Sequence, residues 1–128
     1  MINHAVIGLG SNINPQENIA KAKELLGEKF FIKGESSFVK TKPIGRSDLN
    51  DFINGAILVE THLDLYELRA FLKHLEAELG REKSKDPFSS RAIDLDIIVY
   101  NGKVLDEDFY QREFLKNSTL ELLPDLKY

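Results

Sequence analysis

One ten-residue stretch, Arg91-Ala-Ile-Asp94-Leu-Asp96-Ile-Ile-Val-Tyr100, constrains this chain more than any other. Read with the two-residue period of a β-strand, it separates into two faces. Ile93, Leu95, Ile97 and Val99 form an apolar row suited to packing against helices, while Asp94, Asp96, Ile98 and Tyr100 take the opposite side. Two carboxylates two residues apart on a strand stand side by side, roughly 7 Å apart at Cα. They repel one another, and burying either without a counter-charge is costly. A divalent cation relieves both problems, and Mg²⁺ held by one or two carboxylates together with substrate phosphates is the expected arrangement. The ordinary alternative is a solvated strand face that carries two aspartates, so the flanking sequence has to decide.

The chain as a whole narrows the choice. Its 128 residues suffice for one compact domain with a core and not for two, so residues 1–128 are expected to form a single domain. A net charge of −4 argues against a nucleic-acid partner. No apolar run approaches the roughly 20 residues needed to span a bilayer, and Met1-Ile2-Asn3-His4 lacks the regions of a signal peptide. The absence of cysteine removes disulfides and thiolate metal sites and agrees with a cytoplasmic location. The expectation is a soluble, monomeric protein that works on small molecules, with no nucleic-acid or membrane partner.

Taken in order, His4 to Gly10 reads as a short buried strand closed by glycines, followed by a tight turn at Ser11 and Asn12. Gly8-x-Gly10 lacks the Lys-Ser/Thr ending and third glycine of a phosphate cradle, so a structural turn is its expected role. A helix should open with Asn14 as cap and Pro15 in its first turn, bury Ile19, Ala22, Leu25 and Leu26, and stop at Gly27. Phe30 to Thr41 and Phe52 to Thr61 are strand candidates, separated by a loop punctuated by Pro43 and Gly45. In the second, Phe52 and Asn54 share a face, opposite Ile53, Ile57 and Val59. A polar Asn there needs partners, either backbone at a bulge beside Gly55 or the edge of a ligand. Asp64-Leu-Tyr-Glu67 is a capping box that opens a second helix. Its stripe is Leu65, Leu68, Leu72, Leu75 and Leu79, and Gly80 ends it. Glu76, near that end, opposes the helix dipole, a hint of function. His4, His62 and His74 are scattered, with no metal-ligand spacing.

Residues Arg81 to Arg91 lack apolar periodicity and contain Pro87, which marks a long exposed loop. Arg81, Lys83, Lys85 and Arg91 make it a cluster of phosphate-seeking side chains beside the two aspartates, with an unexpected aromatic, Phe88, at its centre. The tail from Lys103 is acidic, then Leu-rich from Phe114 to Leu126, and is expected to be irregular with a short packed segment. Strand–helix–strand–strand–helix–strand is the order of an α+β, ferredoxin-like split βαβ sandwich. That fold has a four-stranded antiparallel sheet with two main helices on one face. Asp94, Asp96, Phe52 and Asn54 would then line its open face.

Several separated motifs now match one family in order: Gly8-Leu-Gly-Ser-Asn12, Thr41-x-Pro43-Ile-Gly45, Phe52-Ile-Asn54, Leu75-Glu76…Gly80-Arg81 and Arg91-x-Ile-Asp94-Leu-Asp96-Ile. From Val6 to Tyr100 the chain resembles the 6-hydroxymethyl-7,8-dihydropterin pyrophosphokinases of folate synthesis. The resemblance implies transfer of the β,γ-diphosphate of ATP to the pterin's hydroxymethyl group, with ATP as co-substrate and two Mg²⁺ ions as cofactors. It implies that Asp94 and Asp96 hold the metal, and that Asp96, Arg81 and Arg91 serve the reaction. Glu76, Arg81, Lys83, Arg91, Ile97 and Arg112 would contact ATP. Thr41, Pro43, Ile44, Phe52, Asn54, Phe88 and Phe114 would form the pterin site, and the loop from Arg81 to Ser90 would close over both substrates.

The chain also departs from the family. Phe52 stands where Tyr is usual, Pro87 where an Arg is frequent, and Ser89-Ser90 replaces Gly-Pro. Lys83 replaces a frequent Arg and loses its bidentate fork. The family's Pro-His segment after the fourth strand has no counterpart, and the tail is shortened. Arg112 and Phe114 are carried over through an alignment that needs a deletion. Two other readings stand beside the pyrophosphokinase: a ferredoxin-like pterin- or nucleotide-binding module that has lost catalysis, and an unrelated metal-dependent phosphoesterase built on the Asp pair.

Overall fold

The computed structural model describes residues 1–42, 50–80 and 92–128. Along them run β1 (Asn3–Ser11), α1 (Pro15–Lys29), β2 (Phe31–Glu35), β3 (Val39–Thr41) and β4 (Phe52–Thr61). After these come α2 (Leu65–Leu79), β5 (Asp94–Tyr100), β6 (Lys103–Val104), α3 (Asp108–Gln111) and α4 (Glu113–Leu122). The fold is α+β around an antiparallel sheet ordered β2-β4-β1-β5-β6, with β3 paired to the other end of β4.

Among the described residues the sheet has six strands, not the four expected. Two local causes account for the difference. The segment from Phe30 to Thr41 breaks at Ser36, whose hydroxyl accepts the Ala56 N–H at 2.8 Å while its own N–H donates to the Ala56 carbonyl at 2.8 Å. A side chain thus takes over one rung of the ladder, and β3 resumes beyond it. At the other edge, Asn101 and Gly102 both have positive φ, 49° and 82°. That is the backbone of a tight primed hairpin turn, and it returns the chain as β6.

The two faces of the sheet carry separate cores. On one, Ile19, Ala22 and Leu26 of α1 and Leu68, Leu72 and Leu75 of α2 pack on Ala5, Ile7, Leu9, Ile57, Val59, Leu95 and Ile97. On the other, Val6, Ala56, Ile98 and Val99 are covered by Phe109 of α3 and Leu115 of α4. Both main helices therefore share a face, as expected, but the opposite face is not fully open. The tail that covers it is helical where irregular structure was expected. Its helix was hard to read because Ser118 and Thr119 are among its buried residues, which interrupts the apolar period. Thr119 satisfies its own hydroxyl on the Leu115 carbonyl at 2.8 Å.

A bulge corrects the strict alternation along β5. Ile7 pairs with Ile97 and Val6 with Val99, so Ile98 is an extra residue and the register shifts by one. Val99 consequently joins the core under α3 and α4 rather than the row facing α1 and α2. Tyr100 turns to the helix side, where its hydroxyl donates to the Leu63 carbonyl at 3.0 Å.

The helix ends differ in how closely they follow local signals. The Asp64 capping box forms in full, with Glu67 N–H on Asp64 at 2.8 Å and Asp64 N–H on Glu67 at 3.0 Å. Asn14 precedes α1 in a left-handed conformation, φ 40°, and makes no side-chain cap. Gly27 does not stop α1, which runs on to Lys29 and ends where the Phe30 N–H bonds Leu26. Packing of Ala22 and Leu26 outweighs the roughly 1 kcal/mol cost of a helical glycine.

Gly55 is required by its neighbour. A Cβ there would lie 2.5 Å from two atoms of the Phe38 ring, which folds over it just before β3. Gly55→Ala should destabilise the protein by about 1–3 kcal/mol in urea unfolding, and a second change, Phe38→Ala, should erase that specific penalty. An unaltered midpoint in Gly55→Ala would show that the ring has room to withdraw.

Candidate functional site

The strongest local constraint on the site is the pairing of β1 with β5. Gly8 stands opposite Asp96 and Gly10 opposite Asp94. Where β1 would otherwise project two side chains beside the carboxylates, it projects none. Gly8-x-Gly10 thus lies within a strand and is not the structural turn expected from sequence. On its other side β1 pairs with β4, which sets Gly10 against Asn54. A Cβ at Gly10 would meet the Asn54 Oδ1 at 2.5 Å, so the glycine also makes room for that amide. The Asn54 Nδ2 donates to the Thr41 hydroxyl of β3, a side-chain partner on the neighbouring strand.

These residues surround a cleft of about 440 Å³. Gly8, Gly10, Asp94, Asp96 and Ile98 line it from β1 and β5. Thr41, Phe52 and Asn54 contribute from β3 and β4, and Lys42 follows β3. From α2 come Lys73 and Glu76, while Arg112, Phe114, Leu115 and Ser118 close it at α4. Of the residues singled out from sequence, Thr41, Phe52, Asn54, Glu76, Asp94, Asp96, Arg112 and Phe114 therefore come together. Ile97 does not line this cleft. It is buried on the helix face and reaches an adjoining hollow of about 440 Å³ with Arg69, Leu72, Leu95 and Leu105. The two cavities share Lys73, Asp96, Asp106 and Asp108. Pro43, Ile44, Arg81, Lys83, Phe88 and Arg91 lie outside the described residues, as does the loop from Arg81 to Ser90.

Sequence reasoning missed several lining residues. The Gly8–Gly10 spacing matches the Asp94–Asp96 spacing, a signal that was available once the strands were paired. Lys73 lies one helical turn before Glu76, and their side chains are 3.6 Å apart. Asp106 and Asp108 carried no signal. They meet the cleft because β5 turns back through β6, and Asp106 accepts the Asp108 N–H at 2.9 Å.

Glu76 explains its own unfavourable place near the end of α2. Its Oε2 accepts the Leu95 N–H at 2.7 Å, tying the helix to β5 between the two aspartates. Burial raises its pKa, the Leu95 N–H and the Lys73 ammonium lower it again, and the Asp94 charge raises it. Asp96 is open to solvent through the mouth of the cleft, yet walls of protein crowd its carboxylate. Its pKa is pushed up to about 6, first by this loss of water and then by the charges of Asp94, Glu76 and Asp106. An acidic site so strained by its own charge calls for a cation.

The donor set indicates which cation suits it. Among the described residues no three histidine, cysteine or carboxylate side chains are grouped to hold a metal ion. Two hard carboxylates, with water and phosphate oxygens completing the shell, are a donor set that a hard divalent cation such as Mg²⁺ accepts. Without metal, the stability linked to Asp96 protonation is full below its ordinary value of 3.8 and is lost as pH rises through about 6. In chelator-treated protein, Asp96→Asn should therefore gain melting temperature over the parent as pH rises from about 4 to 6, the span between those two values. A difference independent of pH would show that Asp96 ionises normally.

Comparison with known proteins identifies the chain. The profile of the 7,8-dihydro-6-hydroxymethylpterin-pyrophosphokinase family matches residues 6–124, from the first strand of the cleft to beyond α4. The 2-amino-4-hydroxy-6-hydroxymethyldihydropteridine pyrophosphokinase of Haemophilus influenzae is 32% identical, over 95% of this chain and 82% of its own length. That of Methylorubrum extorquens is also 32% identical, over 95% of this chain and 84% of its own. The bifunctional protein FolKE of Lactococcus lactis subsp. cremoris is 34% identical over 95% of this chain, which spans 38% of that longer protein. The match runs across both cores and the cleft, and the chain belongs to the 7,8-dihydro-6-hydroxymethylpterin-pyrophosphokinase family.

Proposed function

We propose that this cleft transfers the β,γ-diphosphate of ATP to the hydroxymethyl group of 6-hydroxymethyl-7,8-dihydropterin, giving AMP and the pterin diphosphate. As a member of its family the chain is a pyrophosphokinase of folate biosynthesis. The observation that carries the assignment to this cleft is its mixed lining: two carboxylates from β5, together with an amide, a threonine and two phenylalanines. The strand order and the shared face of α1 and α2 support a ferredoxin-like split βαβ frame. We read residues 1–128 as one domain, acting as a monomer in the cytoplasm.

In this reading the Asn54 amide, braced by Thr41, hydrogen-bonds the pterin's amide-like edge, and Phe52 and Phe114 stack on its rings. Phe52 supplies the stacking surface without a tyrosine hydroxyl. Asp94 and Asp96 would hold Mg²⁺, two ions in the full complex; when bound, it neutralises phosphate charge and orients the transferring group. Asp96 accepts the proton of the attacking hydroxyl, and Arg112 draws on ATP phosphates. Ile97 and the hollow beside it take the nucleoside end. Arg81, Lys83 and Arg91 add charge, with Arg81 and Arg91 acting on the transferring phosphates, while Pro43, Ile44 and Phe88 complete the pterin slot.

The alternative of a binding module without turnover draws on Asp106 and Asp108, whose carboxylates oppose a polyphosphate in the same cleft. One assay decides. AMP should accumulate from Mg-ATP only when the pterin is present. Asp94→Asn should fold normally, since the apolar row beneath it is untouched, and lose turnover by about 10²-fold or more. Pterin binding without AMP would favour the module, and AMP formation unaffected by the substitution would remove Asp94 from the metal site.

A further inference from the structure

The cleft is bounded by two pieces of chain far apart in sequence, and one side chain links them. Glu121 is in the last turn of α4, and its carboxylate reaches the junction between β2 and β3. There the Ser37 N–H donates to Oε1 at 3.1 Å and Oε2 at 3.0 Å, and the Ser37 hydroxyl donates to Oε1 at 3.0 Å. The residue before Ser37 is already tied to β4 through the two Ser36–Ala56 bonds. The junction is therefore anchored to the sheet on one side and to α4 on the other. Four residues beyond Ser37, β3 delivers Thr41, whose hydroxyl holds Asn54.

Along α4, Phe114, Ser118 and Glu121 fall at spacings of four and three residues, on one line of the helix surface. Phe114 and Ser118 line the cleft. Phe114 is two turns, about 10 Å, from the clamp. At this end of α4, Leu122 packs on the core beneath and rests against Gly34, where a Cβ would stand 3.4 Å from its Cδ2. Apolar packing is non-directional, whereas a carboxylate receiving three donated contacts from one residue sets the helix's rotation as well as its position.

We infer that Glu121 is a positioning residue for the pterin slot, fixing Phe114 in register with the Thr41–Asn54 pair through Ser37. Glu121 touches no substrate and acts through the backbone it holds. The inference rests on the pterin reading of the cleft given above, so its test carries one readout that involves no ligand.

Glu121→Ala and Glu121→Gln are compared with the parent in three measurements. These are hydrogen exchange of α4 without ligand, the Kd of 6-hydroxymethylpterin from its own fluorescence, and the Kd of a magnesium complex of a non-hydrolysable ATP analogue. Glu121→Ala should speed exchange from Phe114 to Ser118 and raise the pterin Kd about tenfold while changing the nucleotide Kd less than about twofold. Glu121→Gln, which keeps the shape and an acceptor oxygen, should recover part of both effects. Exchange unchanged in Glu121→Ala would overturn the clamp itself. Faster exchange with an unchanged pterin Kd, or equal losses for both ligands, would reduce Glu121 to a structural contact and overturn the positioning role. A parent protein that does not bind the pterin would overturn the substrate reading, and the positioning role with it, whatever the exchange shows.

Discussion

The register between β1 and β5 is the constraint on which the site depends. With Gly8 against Asp96 and Gly10 against Asp94, two carboxylates face a strip of bare backbone and the cleft exists. A one-residue slip of β1 would send its whole side-chain set to the wrong face, lodging Ile7 and Leu9 in the cleft and opening the core under α1 and α2. That core enforces the pairing, because Ile7, Leu9, Leu95 and Ile97 are buried together beneath the helices. The hydrophobic side of the sheet thus holds in place an electrostatic arrangement on the other side that would not form by itself.

Having placed like charges together, the fold compensates only in part. Glu76 adds a third carboxylate but spends it on the Leu95 N–H, and Lys73 offsets some of its charge. Asp96 is left as the group most ready to hold a proton or a cation. The same residue opens onto both the cleft and the hollow beside Ile97, where two substrates would meet. The bulge at Ile98 ends this arrangement. It turns Val99 into the core under α3 and α4, and its carbonyl accepts the Leu105 N–H at 2.8 Å as the chain returns toward Asp106.

Much of this was legible in sequence wherever one local pattern decided the outcome. The leucine stripe and capping box of α2, the two-faced alternation of β4 and the Asp94–Asp96 face all follow from period and cap chemistry. What escaped was set by partners distant in sequence. The break at Ser36 depends on Ala56, the flip of Val99 depends on β1, and the use of Gly8 and Gly10 depends on which strand faces them. Gly27 is passed over because tertiary packing outweighs a weak local preference. The tail helix hid for a different reason, since its buried face includes a serine and a threonine whose polarity masks the period. The resemblance to a family identified Arg112 and Phe114, which no local pattern marks as lining a cleft formed by the opposite end of the chain.

The central claim is that Asp94 and Asp96, facing two glycines, form the divalent-cation site at which the phosphates are held. Paramagnetic Mn²⁺ in place of Mg²⁺, added with a non-hydrolysable ATP analogue to isotopically labelled protein, tests it most directly. The amide signals of Gly8, Gly10, Asp94 and Asp96 should broaden first. Those of α1 on the far side of the sheet should broaden less, and Asp94→Asn should weaken the effect. Broadening that centres on Asp106 to Asp108, or at the other end of the sheet where the His4 ring lies 3.8 Å from the Glu60 carboxylate, would contradict the account.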